Sequence, residues 1–201
     1  GDTALDSHLE LPILDHDLKR LEEVEFIPFR QVIASGVDSV MTAHILLSQI
    51  DPNRPSTLSF EVLNGLLRKK IGFDGLVVTD ALVMNAISNN YGANEAAVMA
   101  FQAGADLLMM PQNPEETIEA ICEALMSGRI PMQRLEESLL RHKKAFAKIK
   151  DFQSKLNTQL DNNERLEIEL DTDKSLVQDL IFSSIEIHKE VSSKIKNGGI
   201  N

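Results

Sequence analysis

The sequence predicts an α/β fold built around a parallel sheet, and three observations lead to that prediction. Short apolar segments alternate with helical patterns, giving one strand–helix unit every roughly 30–35 residues. The strand segments are continuously apolar, as expected where both faces of a sheet are buried. His44, Asp80 and Gln112 lie at the C-terminal ends of the three predicted strands, where α/β proteins assemble their sites. We favour a barrel, although this periodicity is also compatible with an open sheet.

Periodicity, caps and breakers define the individual elements. Pro28 is expected to interrupt or restart the first helix, Ser59 to cap the second, and Gly104 and Gly128 to end later ones. The Asn-Asn-Tyr-Gly sequence at residues 89–92 predicts a loop. The predicted helices cover residues 15–34, 59–70, 94–103, 115–127 and 131–150, and the predicted strands cover residues 37–45, 76–78 and 106–110.

Composition excludes several classes of function. The chain has 201 residues and a net charge of −11, and no basic tract suits it to nucleic acid or an anionic membrane. It has one cysteine, Cys122, and therefore no internal disulfide. No apolar run reaches membrane-spanning length, and no His, Cys or acidic cluster has metal-ligand spacing. We predict no membrane span, no metal and no cofactor. Because Gly1 rather than Met opens the chain, we expect it to belong to a longer polypeptide.

Two short segments carry the chemistry. In Asp6-Ser7-His8, a carboxylate two positions from an imidazole can accept from one ring nitrogen and fix its tautomer. Asp80 stands alone at the end of an apolar strand. A histidine that exchanges a proton, together with a carboxylate that attacks, is the minimum equipment of a retaining glycosidase. For Asp80 the alternative is a helix N-cap, and for Asp6 and His8 it is a polar surface loop.

The sequences of four segments resemble motifs of one protein family. Together they resemble the β-N-acetylglucosaminidases of glycoside hydrolase family 3. The two longer ones are residues 1–12, Gly-Asp-Thr-x-x-Asp-Ser-His-x-x-Leu-Pro, and residues 72–84, Gly-Phe-Asp-Gly-Leu-Val-Val-Thr-Asp-Ala-Leu-Val-Met. The two shorter ones are Met-Thr-Ala-His at residues 41–44 and residues 103–108. The resemblance implies that residues 1–150 form the C-terminal part of a (β/α)8 TIM-type barrel, from the loop after strand 5 through helix 8. Residues 151–201 are then a linker and the helical opening of a second α/β domain.

The resemblance also implies roles for particular residues. Asp80 becomes the nucleophile, His8 the general acid/base and Asp6 the residue that orients His8. His44 either lines the substrate pocket or is a satisfied strand-end histidine, and Met84 is expected in the pocket wall. Many family members carry a second acid directly after the nucleophile, where this chain has Ala81.

The remaining polar residues have structural interpretations. Asp106 is expected to stabilise a turn or a helix end, and His16, His142 and His188 are expected at the surface.

The leading interpretation is a retaining exo-β-N-acetylglucosaminidase that removes terminal β-linked GlcNAc from cell-wall muropeptides or related glycans. Its partners would be that oligosaccharide and the N-terminal barrel half of the same polypeptide. The alternatives are a β-N-acetylglucosaminide phosphorylase and a non-catalytic fragment or sugar-binding module. A β-glucosidase is disfavoured because other branches of the family lack the Asp-x-His loop. Localisation stays open between the bacterial cytoplasm and the cell envelope.

Overall fold

A computed structural model describes residue 3 and residues 10–160, with side chains through residue 154. The chain divides into two compact units, residues 1–148 and 149–201. In the second unit, the described residues 149–160 are helical. Within the described part of the chain, no helix is long and apolar enough to cross a membrane.

The described elements alternate between short strands and helices. The strands are β1 (Ile13–Leu14), β2 (Ser39–Met41), β3 (Leu46–Leu47) and β4 (Leu76–Val78). The α-helices are α1 (Leu18–Arg20), α2 (Phe26–Ala34), α3 (Asn85–Tyr91), α4 (Ala93–Ala103), α5 (Pro114–Met126) and α6 (Met132–Leu160). A π-helical turn, Leu21–Glu25, joins α1 to α2, a 3-10 turn covers Ser56–Leu58, and a longer π helix covers Glu61–Lys70.

All strand pairing in the described residues is parallel. β2 pairs with β4 in the register Val40 to Val77, and β4 extends to a single bridge between Val78 and Leu107. β1 pairs separately with β3. The spatial order β2, β4, Leu107 follows the chain order, and helices connect each step, as in consecutive β/α units. The C-terminal ends of these strands therefore meet at one edge.

The main core lies between β4, the helix Glu61–Lys70 and α4. Leu63, Leu67, Val77 and Ile87 are almost completely buried there. The core-facing side of α4 is a row of small residues: Ala96, Ala97, Ala100 and Ala103. Gly104 ends α4 at φ 130°, and a Cβ atom there would lie 2.8 Å from the Asn64 amide nitrogen. This position therefore needs glycine for both its backbone conformation and the close approach of Asn64.

A buried ion cluster lies at the N-terminal end of the strands. The Asp106 carboxylate has no exposed surface and accepts from Arg68 at 2.7 Å, Arg134 at 3.1 Å and Arg141 at 3.4 Å. It also accepts from the backbone N–H of Val77 at 3.0 Å. The sequence analysis expected Asp106 to stabilise only a turn or a helix end. Its contacts instead connect β4, α6 and the helix Glu61–Lys70.

Helix caps follow the sequence pattern closely. Ser59 Oγ accepts from the Val62 N–H at 3.2 Å, which is the predicted cap. The Asn113 side chain accepts from the N–H groups of Glu115 and Glu116, with Pro114 at the first position of α5. Pro28 lies in the first turn of α2, directly after the π-helical turn, in agreement with a helix that restarts.

Three predicted boundaries were wrong. Residues 89–91 belong to α3 rather than a loop, because buried Ala86 and Ile87 anchor that helix and Gly92 ends it at φ 75°. Helix α6 continues through Leu160, ten positions beyond the predicted end, since it contains neither glycine nor proline. The polar segment 1–15 contains β1, a strand that the sequence pattern did not reveal.

The predicted strand 76–78 matches β4, whereas the other two predicted strands are longer than the observed pairing. Pairing of the 37–45 segment with β4 ends at Met41, and the 106–110 segment forms one bridge, at Leu107. At that point the Met109 N–H donates to the Thr79 hydroxyl at 2.8 Å instead of to a backbone carbonyl. A side chain therefore interrupts the ladder.

The Asp106 cluster provides a stability test. We expect Asp106→Asn to lower the free energy of unfolding by about 3–5 kcal/mol, because three buried or half-buried guanidinium groups lose their counter-charge. Asp38→Asn is the matched control, since the Asp38 side chain is 58% exposed and pairs with Lys148 at the surface, away from the three arginines. We expect that control to cost less than about 1 kcal/mol. Urea unfolding of both variants measures the difference, and equal losses would contradict the assignment.

Candidate active site

Asp80 lies two residues beyond β4, at the edge where the strands end. Its side chain is half-buried, and Oδ1 accepts from the Ala81 N–H at 2.8 Å. The adjacent strand segment holds the backbone on both sides of it. Thr79 N–H donates to the Leu107 carbonyl at 2.9 Å, and Leu82 N–H donates to the Met109 carbonyl at 3.0 Å. Asp80 is thus a carboxylate presented from a restrained turn.

His44 follows β2 and lies beside the Asp80 turn. Its side chain is fully buried, and both ring nitrogens have partners. Nε2 is 3.0 Å from the Ala81 carbonyl oxygen, and Nδ1 is 2.9 Å from the Thr57 hydroxyl. Thr57 in turn contacts the Thr42 hydroxyl at 2.9 Å. Of the two interpretations of His44, this geometry favours a buried histidine with both ring nitrogens hydrogen-bonded over a side chain that lines the substrate pocket.

Burial lowers the pKa of His44 below its usual value, and this is the largest influence on it. The hydrogen bond to the Ala81 carbonyl and the negative charge of Asp80 act in the opposite direction and only partly offset it. His44 is therefore held in its neutral form at neutral pH.

The other predicted site residues are distributed unevenly. Asp6 and His8 lie outside the described residues, so their proximity to Asp80 stays a prediction. Met84 is buried, with 7% of its surface exposed, and precedes α3. Gln112 borders a polar cleft with Asn94, Asn113 and Glu116, between the N-terminal ends of α4 and α5.

Two of the other histidines lie in the described region, and neither is fully exposed. His142, expected at the surface, is half-buried, and its Nε2 lies 3.1 Å from the Asp106 carbonyl oxygen. His16 is also half-buried. His188 lies outside the described residues. Across residues 3 and 10–160, no group of three or more His, Cys, Asp and Glu side chains is placed to hold a metal ion.

Sequence reasoning missed Thr57 and Thr79. Both are fully buried threonines whose hydroxyl groups hold the candidate site together, one through His44 and one through Met109. No sequence signal marks them, because a lone threonine separated from its partner by 13 or 30 positions has no recognisable pattern.

Comparison with known proteins identifies the family. Residues 1–144 match the glycosyl hydrolase family 3 N-terminal domain. The chain belongs to glycoside hydrolase family 3. That domain is a TIM-barrel-type α/β fold, which agrees with the fold class predicted from the sequence and confirms the family resemblance.

Individual relatives agree with this membership. The chain is 32% identical over 196 aligned residues to β-hexosaminidase A of Pseudoalteromonas piscicida, covering 85% of this chain and 33% of the relative. Among solved structures, a family 3 β-N-acetylglucosaminidase from Paenibacillus sp. str. FPU-7 superimposes with a TM-score of 0.68 at 48% identity. That match covers 70% of this chain and 28% of the other. The chain spans about a third of the length of the curated relative.

A solved β-glucoside phosphorylase is also similar to this chain. It has a TM-score of 0.64 and 28% identity, and the match covers 69% of this chain and 27% of that protein. The family-3 fold is therefore shared by this chain, a β-N-acetylglucosaminidase and a phosphorylase.

His44 gives a prediction for stability against pH. Its pKa is lower in the folded state than the usual value of about 6.5, so the unfolded chain binds more protons below neutral pH. Stability should therefore fall as the pH decreases through about 6.5, with a slope of at most about 1.4 kcal/mol per pH unit for this proton.

Urea unfolding of the wild type and His44→Gln at pH 7.5 and 5.5 measures this contribution. The wild type should lose more of its unfolding free energy than the variant, in which position 44 carries no titrating group. The lowered pKa values of carboxyl groups such as Asp74, held down chiefly by its hydrogen bond with Lys144, affect both proteins equally. An identical pH dependence in the two proteins would contradict the prediction.

Proposed function

We propose that this chain carries the nucleophile of a retaining exo-β-N-acetylglucosaminidase that hydrolyses terminal β-linked GlcNAc. The observation that carries the proposal is the placement of Asp80: a half-buried carboxylate at the C-terminal end of a parallel strand, held by backbone bonds on both sides. Family membership and the similar β-N-acetylglucosaminidase support it further. The substrates would be cell-wall muropeptides or related glycans.

The reaction would proceed in two displacements at the anomeric carbon, each from the face opposite the departing group, so that the configuration is retained overall. In the first step, an Asp80 oxygen attacks the anomeric carbon while His8 donates a proton to the departing glycosidic oxygen. In the second step, His8 takes a proton from water, and the resulting nucleophile displaces Asp80 from the anomeric carbon. Asp6 would accept from His8 and stabilise its charged form, which is present before the first step and again after the second.

An apolar groove supports the proposal that further strands of the same polypeptide complete the barrel. In the described residues, β2 is hydrogen-bonded to another strand on one side only, through β4. Beside it lies a groove of about 250 Å³, bordered by Val40 and Met41 of β2 and by Phe26, Phe29 and Leu66 of two helices. An apolar strand paired in parallel with β2 would fill this groove. Residues 151–201 would then be the linker and the opening of a second α/β domain.

A slow fluorinated GlcNAc donor tests the nucleophile. We expect the donor to leave one sugar covalently attached to Asp80, as intact mass and peptide mapping would show, because its second step is slow. Asp80→Asn should abolish the label, while the surface variant Asp74→Asn should keep it.

The same experiment on the longer polypeptide separates two hypotheses. If the longer protein is labelled and residues 1–201 are not, residues 1–201 need the rest of the barrel for catalysis. That result is expected if residues 1–201 are a non-catalytic fragment or a sugar-binding module. A folded, longer protein that takes no label at Asp80 would refute the assignment.

A β-N-acetylglucosaminide phosphorylase is the second candidate, favoured by the similarity to a β-glucoside phosphorylase. A neutral histidine in place of a second carboxylate would not repel an incoming phosphate dianion. Product analysis with and without inorganic phosphate distinguishes the two activities. Hydrolysis predicts free GlcNAc in both samples, whereas phosphorolysis predicts GlcNAc-1-phosphate only when phosphate is present.

A further inference from the structure

The protonation of His44 can be read from its hydrogen-bond partners. The Ala81 carbonyl oxygen, 3.0 Å from Nε2, can only accept, so Nε2 must carry a hydrogen. Nδ1 lies 2.9 Å from the Thr57 hydroxyl, which is also placed to donate to the Ala43 carbonyl at 3.1 Å. The Ala81 carbonyl thereby selects the tautomer of His44 that donates toward the Asp80 turn, and Thr57 holds the ring at its other nitrogen.

Ala81 connects His44 to the carboxylate of Asp80. Its N–H donates to Asp80 Oδ1 at 2.8 Å, and its carbonyl accepts from His44. The Ala81 N–H is therefore engaged by the carboxylate, and its carbonyl accepts both from the imidazole and from the Met84 N–H at 3.1 Å. A shift of Ala81 would therefore move the N–H group that binds Asp80 Oδ1 and change the position of the carboxylate.

The remaining restraints on the turn come from the opposite direction. Thr79 and Leu82 are tied to Leu107 and Met109, which belong to the next strand segment. His44 comes from the β2 side. Thr42 N–H donates to the Val78 carbonyl at 2.8 Å, so β2 and β4 stay paired without His44. Removing the His44 contact would leave residues 79–82 bonded only to the next strand segment and would let Ala81 shift.

We infer that His44 is a positioning residue for the Asp80 carboxylate, acting through the Ala81 carbonyl while Thr57 holds the other ring nitrogen of His44. The inference rests on the proposed role of Asp80 as nucleophile. His44 would touch neither the sugar nor the reacting atoms, and its effect would therefore be on the rate of attack rather than on substrate affinity.

Two amide variants of His44 separate positioning from simple packing. In His44→Gln, the side-chain NH₂ reaches approximately the position of Nε2 and can still donate to the Ala81 carbonyl. In His44→Asn, the shorter side chain places its amide near the position of Nδ1 and loses that bond. His142→Asn is the matched control, because His142 also contacts a backbone carbonyl, that of Asp106 at the opposite end of the strands.

The rate of Asp80 labelling by the fluorinated donor is the first measurement, made on the polypeptide that shows labelling. We expect His44→Asn to slow labelling by up to about 100-fold, with the donor concentration for half-maximal rate nearly unchanged. His44→Gln should recover most of the rate, and His142→Asn should label like the wild type. Thr57→Val should slow labelling, while Thr57→Ser should not.

A second measurement does not depend on activity. In NMR spectra, the ring-nitrogen shifts of His44 should report a neutral ring protonated at Nε2. The Ala81 amide and the Asp80 carboxyl carbon should shift in His44→Asn, return toward wild-type values in His44→Gln and stay in place in His142→Asn. If the longer polypeptide gives these NMR results but its wild-type form takes no label, the proposed function is refuted, whereas the contact between His44 and Ala81 is established.

Two results would overturn the inference itself. One is unchanged Ala81 and Asp80 signals in a folded His44→Asn protein, whatever its activity. The other is an equal loss of labelling in His44→Gln, His44→Asn and His142→Asn that follows their loss of unfolding free energy, because that pattern indicates packing alone.

Discussion

The buried carboxylate of Asp106 is the contact on which the rest of the described structure depends. A charge without exposed surface is strongly unfavourable unless it is paired, and here three arginines supply the pairing. Burial lowers the pKa of Arg68 and of Arg134, yet guanidinium groups stay charged at neutral pH. Because these arginines come from the helix Glu61–Lys70 and from α6, one carboxylate sets the position of both helices against β4.

This arrangement assigns different tasks to the two ends of the same short strand. At its N-terminal end, β4 is fixed where Val77 donates to Asp106. Three residues later the chain reaches Asp80, which is held by backbone bonds rather than ion pairs. Stabilising charges are thereby kept away from the carboxylate that the proposed reaction needs, in agreement with the usual division of labour between the two faces of a barrel. Asp106→Asn should therefore unfold the protein more readily without changing the chemistry at Asp80.

Local signals made part of this structure predictable from sequence. The apolar run Leu76–Val78, the Ser59 cap and the glycines after α4 and α5 act within a few positions, so periodicity and turn chemistry predict them. The Asp106 cluster joins residues 28 to 38 positions apart, and no periodic pattern encodes such pairs. The same limit applies to the site: Asp80 was recognisable from its segment, whereas the partnership of His44 with Thr57 was visible only in the fold.

The residue at position 81 shows why the two sides of the His44 contact differ in their tolerance to change. Many family members carry an acid there, and this chain carries alanine, but His44 binds the backbone carbonyl that every residue possesses. The side chain at 81 can therefore vary while the contact persists. Thr57 acts through its hydroxyl, so only a residue with a similarly placed hydroxyl can make the same contact with Nδ1 of His44. The specificity of this arrangement thus resides at positions 44 and 57, one step removed from the carboxylate that it serves.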